Sequence, residues 1–276
     1  MLTHGRPEHT ANGLRRLIEI AGERGAVLRF DAEEAEKHQL LDADGIVVGP
    51  VRADQVDLCL VLGGDGTILK ALRLHAGVPV PVFAINFGEI GFLAAAEPAD
   101  LQAGVERALS GDFELLHLPM IVLEGDDLYQ RAVNDVAIHR KIGDRVASIS
   151  YSFGGQALGS VRCDGLVVST PAGSTGYNLA NGGPVMAWGV AGFVVSFIAP
   201  HSLTARALVV APHDRMRIHN HGTNPLDVSI DGRPSDELPP DGVLSVAFVH
   251  AACTLAQLPG SSFYRRLGEK FGRLAR

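Results

Sequence analysis

Apolar positions in the first hundred residues alternate between two rhythms. Leu14, Leu17, Ile18 and Ala21 recur at helical spacing between Glu8 and Arg24, and Gly25 then stops the pattern. A short apolar run, Ala26 to Phe30, predicts a strand, and the charged segment Glu33 to Leu41 predicts a weaker helix. Val56 to Leu62, apolar but for Asp57 and stopped by glycines, predicts a strand. A helix over Ile68 to His75, a strand over Val80 to Asn86 and a helix from Pro98 to Ser110 follow. Strands alternating with helices predict an α/β domain, doubly wound and Rossmann-like. Such a domain opens on a strand, and only Met1 to His4 is available for it, so the first strand is expected to be very short or truncated.

After Gly111 the helical rhythm disappears. Runs suited to strands succeed one another, at Phe113 to Leu123, Tyr129 to His139, Ala147 to Phe153, Leu158 to Val161, Leu166 to Ser169, Phe193 to Ala199, Arg215 to His219, Leu226 to Ile230 and Val243 to Val249. Gly, Asp, Asn and Pro separate them, which predicts an all-β domain of packed antiparallel sheets. The expected division is residues 1–105, 106–255 and 256–276. In the last segment Phe263, Leu267 and Phe271 mark an amphipathic helix over Ser261 to Arg276 that docks on the first domain.

Composition narrows the function. The formal net charge of -7 and the absence of a basic run argue against a general nucleic-acid binder. If the ligands are anions, positive charge has to be gathered locally, with Lys70, Arg73, Arg145, Arg162 and Arg233 as candidates. No apolar stretch is long enough to span a bilayer, and Met1 to Pro7 lacks signal-peptide features, so a cytoplasmic location without membrane partners is expected. Cys59, Cys163 and Cys253 are far apart and odd in number, which suits reduced, buried thiols. His219 and His221 would face the same way on a strand, yet the sequence offers no third ligand beside them, and no protein metal site is expected.

Two glycine-rich turns leave consecutive strands. In Val61-Leu62-Gly63-Gly64-Asp65-Gly66-Thr67 the glycines bring backbone N–H groups close to a bound anion, and the following helix points its positive end at it. The turn lacks the Gly-Lys-Ser/Thr ending of a P-loop and the third glycine of a dinucleotide fingerprint. A carboxylate among phosphate-binding amides is electrostatically unwelcome unless it binds metal or accepts a proton, so Asp65 points to chemistry. The second turn is Asn86 to Leu93; ligands of open α/β sheets sit at carboxyl ends of strands, so both turns are expected to share one crevice.

The run from Asp164 to Pro184 combines a strand, a loop of glycines and hydroxyls, and a short helix. Its hydroxyls and free amides suit a ribose or phosphate, Tyr177 suits stacking on a flat heterocycle, and Asp164 suits a ribose or amide. Ala172-Gly173-Ser174-Thr175-Gly176 approaches the hydrolase elbow but lacks its first glycine and any recognisable His or acid partner.

Taken together, Gly63 to Thr67, Asn86 to Leu93, Asn134-Asp135, Asp164 to Pro184, Pro200 to Arg206 and Asp231-Gly232-Arg233 resemble the NAD kinase family from about Val56 onward. Diacylglycerol-type lipid kinases and phosphofructokinases share Gly-Gly-Asp-Gly but lack the Asp164 to Pro184 block; a non-catalytic NAD or NADP sensor is a further alternative. The resemblance implies phosphoryl transfer from ATP, or in some members polyphosphate, to the adenosine ribose 2′-hydroxyl of NAD, with Mg²⁺ or another divalent cation. By the same resemblance Asp65 accepts the hydroxyl proton, Gly66 lies beside the dinucleotide and Lys70 stands near phosphate. Asn134 and Asp135 match a dinucleotide-binding pair in which glutamate is often the second member. Arg145, Arg162, Asp164, Ala172, Thr175, Gly176, Tyr177, Asn178, Leu179 and Ala180 match further contacts, and Arg162 stands where arginine accompanies preference for NAD over NADH. Arg233 replaces a glutamine found in many members, and a homodimer or homotetramer is implied.

Overall fold

A computed structural model describes residues 1–89, 91–126 and 128–272. Ile90 of the second glycine turn and Arg273 to Arg276 of the expected tail helix lie outside the described residues. The chain forms two compact units, Met1–His117 with the segment from Cys253 on, and Leu118–Ala252. Up to His117 the elements are β1 (Leu2–Thr3), α1 (Ala11–Glu23), β2 (Leu28–Phe30), α2 (Ala32–His38), β3 (Ile46–Val48), β4 (Cys59–Gly63), α3 (Asp65–Leu74), β5 (Pro81–Asn86), α4 (Leu101–Ser110) and the start of β6 (Glu114–Glu124). There follow β7 (Tyr129–Ala132), β8 (Asp135–Arg140), β9 (Ala147–Phe153), β10 (Gln156–Cys163), β11 (Gly165–Ser169), α5 (Tyr177–Ala180), β12 (Phe193–Ile198) and β13 (Leu208–Val210). The last elements are β14 (Met216–Asn220), β15 (Leu226–Ile230), β16 (Arg233–Leu238), β17 (Val243–Gln257) and α6 (Phe263–Phe271).

In the first unit β1, β4, β5 and the last residues of β17 run parallel, with Leu2 opposite Val61, Cys59 opposite Val82 and Thr254 opposite Pro81. Every residue of β4 is buried, as a parallel strand requires when helices cover its sheet. Leu14, Leu17 and Ile20 of α1 and Val105 and Ala108 of α4 share one core with Leu60, Leu62, Phe83 and Ile85. The opening strand is two residues long. So short an edge supports no neighbour, and β2 pairs instead with β3 in a separate two-stranded ribbon, Leu28 opposite Ile46.

The second unit is antiparallel. Six strands follow the order β13-β12-β11-β8-β15-β16; β17, β14, β9 and β10 form a second layer, with β6 pairing β17 and β7. Ile138, Leu166, Val168 and Phe193 of the first layer share a core with Ile149, Ile218 and Val246 of the second. Three readings change. The strand expected over Tyr129 to His139 breaks at Val133 and Asn134, whose N–H groups go to the Asp231 carboxylate instead of a ladder. The edge strand β16 escaped notice because all but Leu238 of its residues are exposed, leaving no alternation to read. β17 runs on to Gln257, beyond the Val249 expected. Where divisions at 105 and 255 were expected, the units divide after His117 and after Ala252.

All three cysteines are buried, and burial pushes the Cys59 and Cys163 thiols up to about 11. No helix among the described residues is long and apolar enough to cross a membrane.

Candidate active site

The glycine turn of the first unit is shaped by close backbone packing. Gly63 pairs with Asn86 at the carboxyl ends of β4 and β5, and Phe87 donates its N–H to the Gly63 carbonyl at 3.1 Å. A Cβ on Gly88 would stand 2.6 Å from the Gly64 Cα, so the two turns touch through glycines and any side chain at position 88 would push them apart. Asn86, almost wholly buried, accepts the Gly88 N–H at 3.0 Å and donates to Glu97 at 3.0 Å, which fixes the second turn.

Asp65 is the first residue of α3 and half-buried. Its Oδ1 accepts the N–H groups of Phe92 at 3.2 Å and Leu93 at 3.1 Å; Oδ2 shares the Phe92 N–H at 3.1 Å. A carboxylate has about four acceptor sites, so Oδ2 keeps room for one more donor. Burial raises the Asp65 pKa; the Leu93 and Phe92 amides and, less directly, Arg266 and Lys270 oppose it.

The loop that holds Asp65 is itself held from α6. Arg266, half-buried by the fold, donates to the carbonyls of Phe92 at 3.0 Å and Ala94 and to the Gln257 side chain. Gln257 in turn donates to the Leu93 carbonyl at 2.8 Å. Phe92 packs edge-on against Phe263 at 5.9 Å, so the tail helix docks on this unit through the loop. Neither Arg266 nor Gln257 was foreseen, because an arginine on an amphipathic helix reads as a solvated residue until its burial is known. Lys70 Nζ lies 3.3 Å from Glu33, in an exposed pair.

In the second unit, Asp231 sits in the left-handed region with φ 48. Its carboxylate accepts the N–H groups of Val133 at 3.2 Å, Asn134 at 2.7 Å and Asp135 at 3.2 Å, and its own N–H donates to the Asp135 carbonyl at 2.9 Å. This clasp presents the Asn134-Asp135 pair. Asn134 Oδ1 is buried with no hydrogen-bond partner among the described residues, an acceptor open to a ligand. Burial, then the Asp231 charge, push the Asp135 carboxyl up to about 7. Asp231 was known only as part of a motif; its role as a backbone acceptor depends on a fold that joins positions 97 residues apart.

Asp164 is gripped by Arg140, a residue the motifs did not supply, with Nε at 2.6 Å from Oδ1 and a second nitrogen 3.3 Å from Oδ2. That side-chain hydrogen bond holds Asp164 below the usual carboxylate range. Arg140, Asp164, Tyr177, His139, Ile142 and Ile198 line an open cavity of about 320 Å³, and Tyr177 is 38% exposed at its wall, available to stack.

The loop after β11 has no slack. A Cβ on Gly173 would lie 2.1 Å from the Asn134 carbonyl oxygen. Ser174 is fully buried, donating to the Pro171 carbonyl at 2.7 Å and accepting the Met186 N–H at 2.8 Å, so it is a loop brace and not a nucleophile. Asn178 is also fully buried, and its side chain donates to the carbonyls of Ser174 and Pro184, each at 2.9 Å. Ala172 is buried, Thr175 and Leu179 are half-buried, and Gly66, Gly176 and Ala180 are exposed. Arg145, Arg162 and Arg233 are exposed as well, free to meet an anion from solvent.

Comparison with known proteins agrees with both halves of this description. Residues 29–113 match the ATP-NAD kinase N-terminal domain, and residues 133–258 match the ATP-NAD kinase C-terminal domain. The NAD kinase of Symbiobacterium thermophilum is 36% identical over 223 residues, 78% of each chain. That of Lachnoclostridium phytofermentans is 30% identical over 268 residues, 93% of this chain and 92% of its own. Yeast NADH kinase complexed with NADH has a similar fold, with a TM-score of 0.87 at 21% identity, covering all of this chain and 87% of the other. An Archaeoglobus fulgidus NAD kinase in complex with ATP superposes at a TM-score of 0.69 with 22% identity, covering 98% and 96%. The chain belongs to the NAD kinase family.

Proposed function

We propose that this protein transfers the γ-phosphoryl group of ATP to the 2′-hydroxyl of the adenosine ribose of NAD, making NADP and ADP. One observation carries the assignment of Asp65: it is a half-buried carboxylate at the glycine turn, held by two backbone N–H groups and left with acceptor capacity on Oδ2. A ribose hydroxyl is many pK units less acidic than a carboxylic acid, so Asp65 does not remove its proton beforehand. It orients the hydroxyl as a hydrogen-bond acceptor and takes the proton late, as the new O–P bond forms and the bond from phosphorus to the bridging oxygen of ADP breaks. A loose phosphoryl-transfer transition state rewards such positioning more than base strength.

The dinucleotide is bound by the second unit. Asn134 Oδ1 and the Asp135 carboxyl accept from its polar edges, Tyr177 covers a flat ring, and exposed Arg145, Arg162 and Arg233 supply charge to an acidic protein. The divalent cation fits as a passenger of the ATP phosphates, because Mg²⁺ is commonly held by one or two carboxylates plus phosphate oxygens. When bound, that ion neutralises charge on the transferring group. A cytoplasmic homo-oligomer is the state in which we expect the enzyme to work.

The test is incubation of the purified protein with NAD, Mg²⁺ and ATP, and separately with polyphosphate or with NADH. Formation of NADP from ATP supports the proposal; binding of NAD without phosphorylation under any donor would replace it with a sensor.

A further inference from the structure

The sequence lets His219 and His221 face the same way on a strand, the first on β14 and the second just past its end, but shows no third ligand beside them. The fold supplies one. Asn220, fully buried between the two histidines, accepts the Asp241 N–H at 2.8 Å through its carbonyl and donates its own N–H to the Gly242 carbonyl at 3.1 Å. Its side-chain amide also donates to the carbonyls of Asn224, Leu238 and Pro239 at 2.9, 3.2 and 3.1 Å. These bonds hold the turn before β17, in which Asp241 takes a φ of 57, against the end of β14. We propose that His219, His221 and Asp241 form a binding site for a divalent transition-metal ion of the zinc class.

The side-chain geometry points the same way. One donor atom from each of the three residues lies within 4.8 Å of the other two. His219 Nε2 is buried without a hydrogen-bond partner among the described residues and stands 4.0 Å from Asp241 Oδ1. That gap is too long for a hydrogen bond and wider by roughly half an ångström than the ~3.3–3.4 Å between two ligands of a tetrahedral ion with metal–ligand distances of about 2.0–2.1 Å, a difference that a small turn of the Asp241 side chain closes. The two imidazole centroids are 3.9 Å apart, closer than stacking alone requires. Ser150 Oγ lies 2.8 Å from His221 Nε2, a hydrogen bond that orients the ring, and the backbone N–H of His221 is tied to the Ser148 carbonyl at 2.8 Å.

Donor chemistry selects the ion. Two imidazoles and one carboxylate suit zinc or a neighbouring transition metal, whereas Mg²⁺ and Ca²⁺ prefer oxygen alone. Asp241 is exposed, so its side chain swings freely to close the set, and three protein ligands leave a position for water. None of these residues belongs to the nucleotide motifs, and the site stands whether or not the proposed reaction is correct.

Calorimetric titration of the full-length, chelator-treated protein with Zn²⁺ alone tests this. The expected result is about one ion per chain, as a single three-ligand site holds. His221→Gln and Asp241→Asn alter exposed side chains and should each weaken binding by at least about tenfold. Co²⁺ in place of Zn²⁺ should give visible bands without thiolate charge transfer, which separates this site from the buried cysteines. Absence of stoichiometric binding, or equal affinity in both variants, would overturn the proposal.

Discussion

Arg266 and Asp65 hold opposite ends of one peptide group: the guanidinium donates to the carbonyl of Phe92 at 3.0 Å, and the N–H of that peptide, from Leu93, donates to Asp65 at 3.1 Å. The tail helix therefore orients the amides that aim the acidic side chain. Arg266→Ala should lower kcat well before it raises the KM for NAD. It should also destabilise the fold, since each buried acceptor left unpaired costs about 1–3 kcal/mol. Steady-state kinetics beside a denaturant midpoint check this; unchanged kcat in a destabilised variant would reduce Arg266 to packing.

Asp135 offers a pH signature. Its carboxyl is pushed up to about 7 in the folded protein, first by burial and then by Asp231. In the unfolded chain the group returns to an ordinary value near 4. Between those values the folded state holds a proton that the unfolded state has released, so this contribution is full below about pH 4 and is lost as pH rises through about 7. Asp135→Asn removes that loss. Relative to the parent, the variant should gain stability as pH goes from about 4 to about 8, measured as the difference in urea midpoints; a difference flat with pH would contradict the buried-carboxyl assignment.

Ser174→Ala separates brace from nucleophile. The hydroxyl is bonded to the Pro171 carbonyl and the Met186 N–H inside the loop. Its loss should cost about 1–3 kcal/mol through the unpaired groups and leave kcat within a few-fold of the parent, provided the assay is run well below the new melting temperature. Loss of all turnover in a folded variant would reopen covalent chemistry.

Much of this fold is legible along the chain, because parallel strands buried on both faces make unbroken apolar runs and the Leu14-Leu17-Ile18-Ala21 spacing marks its helix directly. Elements without a buried stripe escape: β16 has only Leu238 inside, and β13 is three residues long. The break in the strand after Ala132 was hidden for another reason, since Asp231 competes for those backbone N–H groups from 97 residues away. For the site, Asp65 and the Asp164 to Pro184 loop declare themselves by residue type. Arg140, Arg266 and Gln257 do not, because their importance lies in partners that only folding brings within reach. Asp241 is the same case, an ordinary turn residue until Asn220 draws it beside two histidines.

Asp65→Asn tests the central claim most directly. Asparagine keeps the size of the side chain and one oxygen to accept from Leu93, so the fold and most of the affinity for NAD should survive. The amide cannot take the ribose proton, and the single-turnover rate of NADP formation from bound NAD and ATP should fall by orders of magnitude, within the range of about 10²–10⁴ expected for a lost acid–base group. A folded Asp65→Asn protein that phosphorylates NAD at the parental rate would contradict the account.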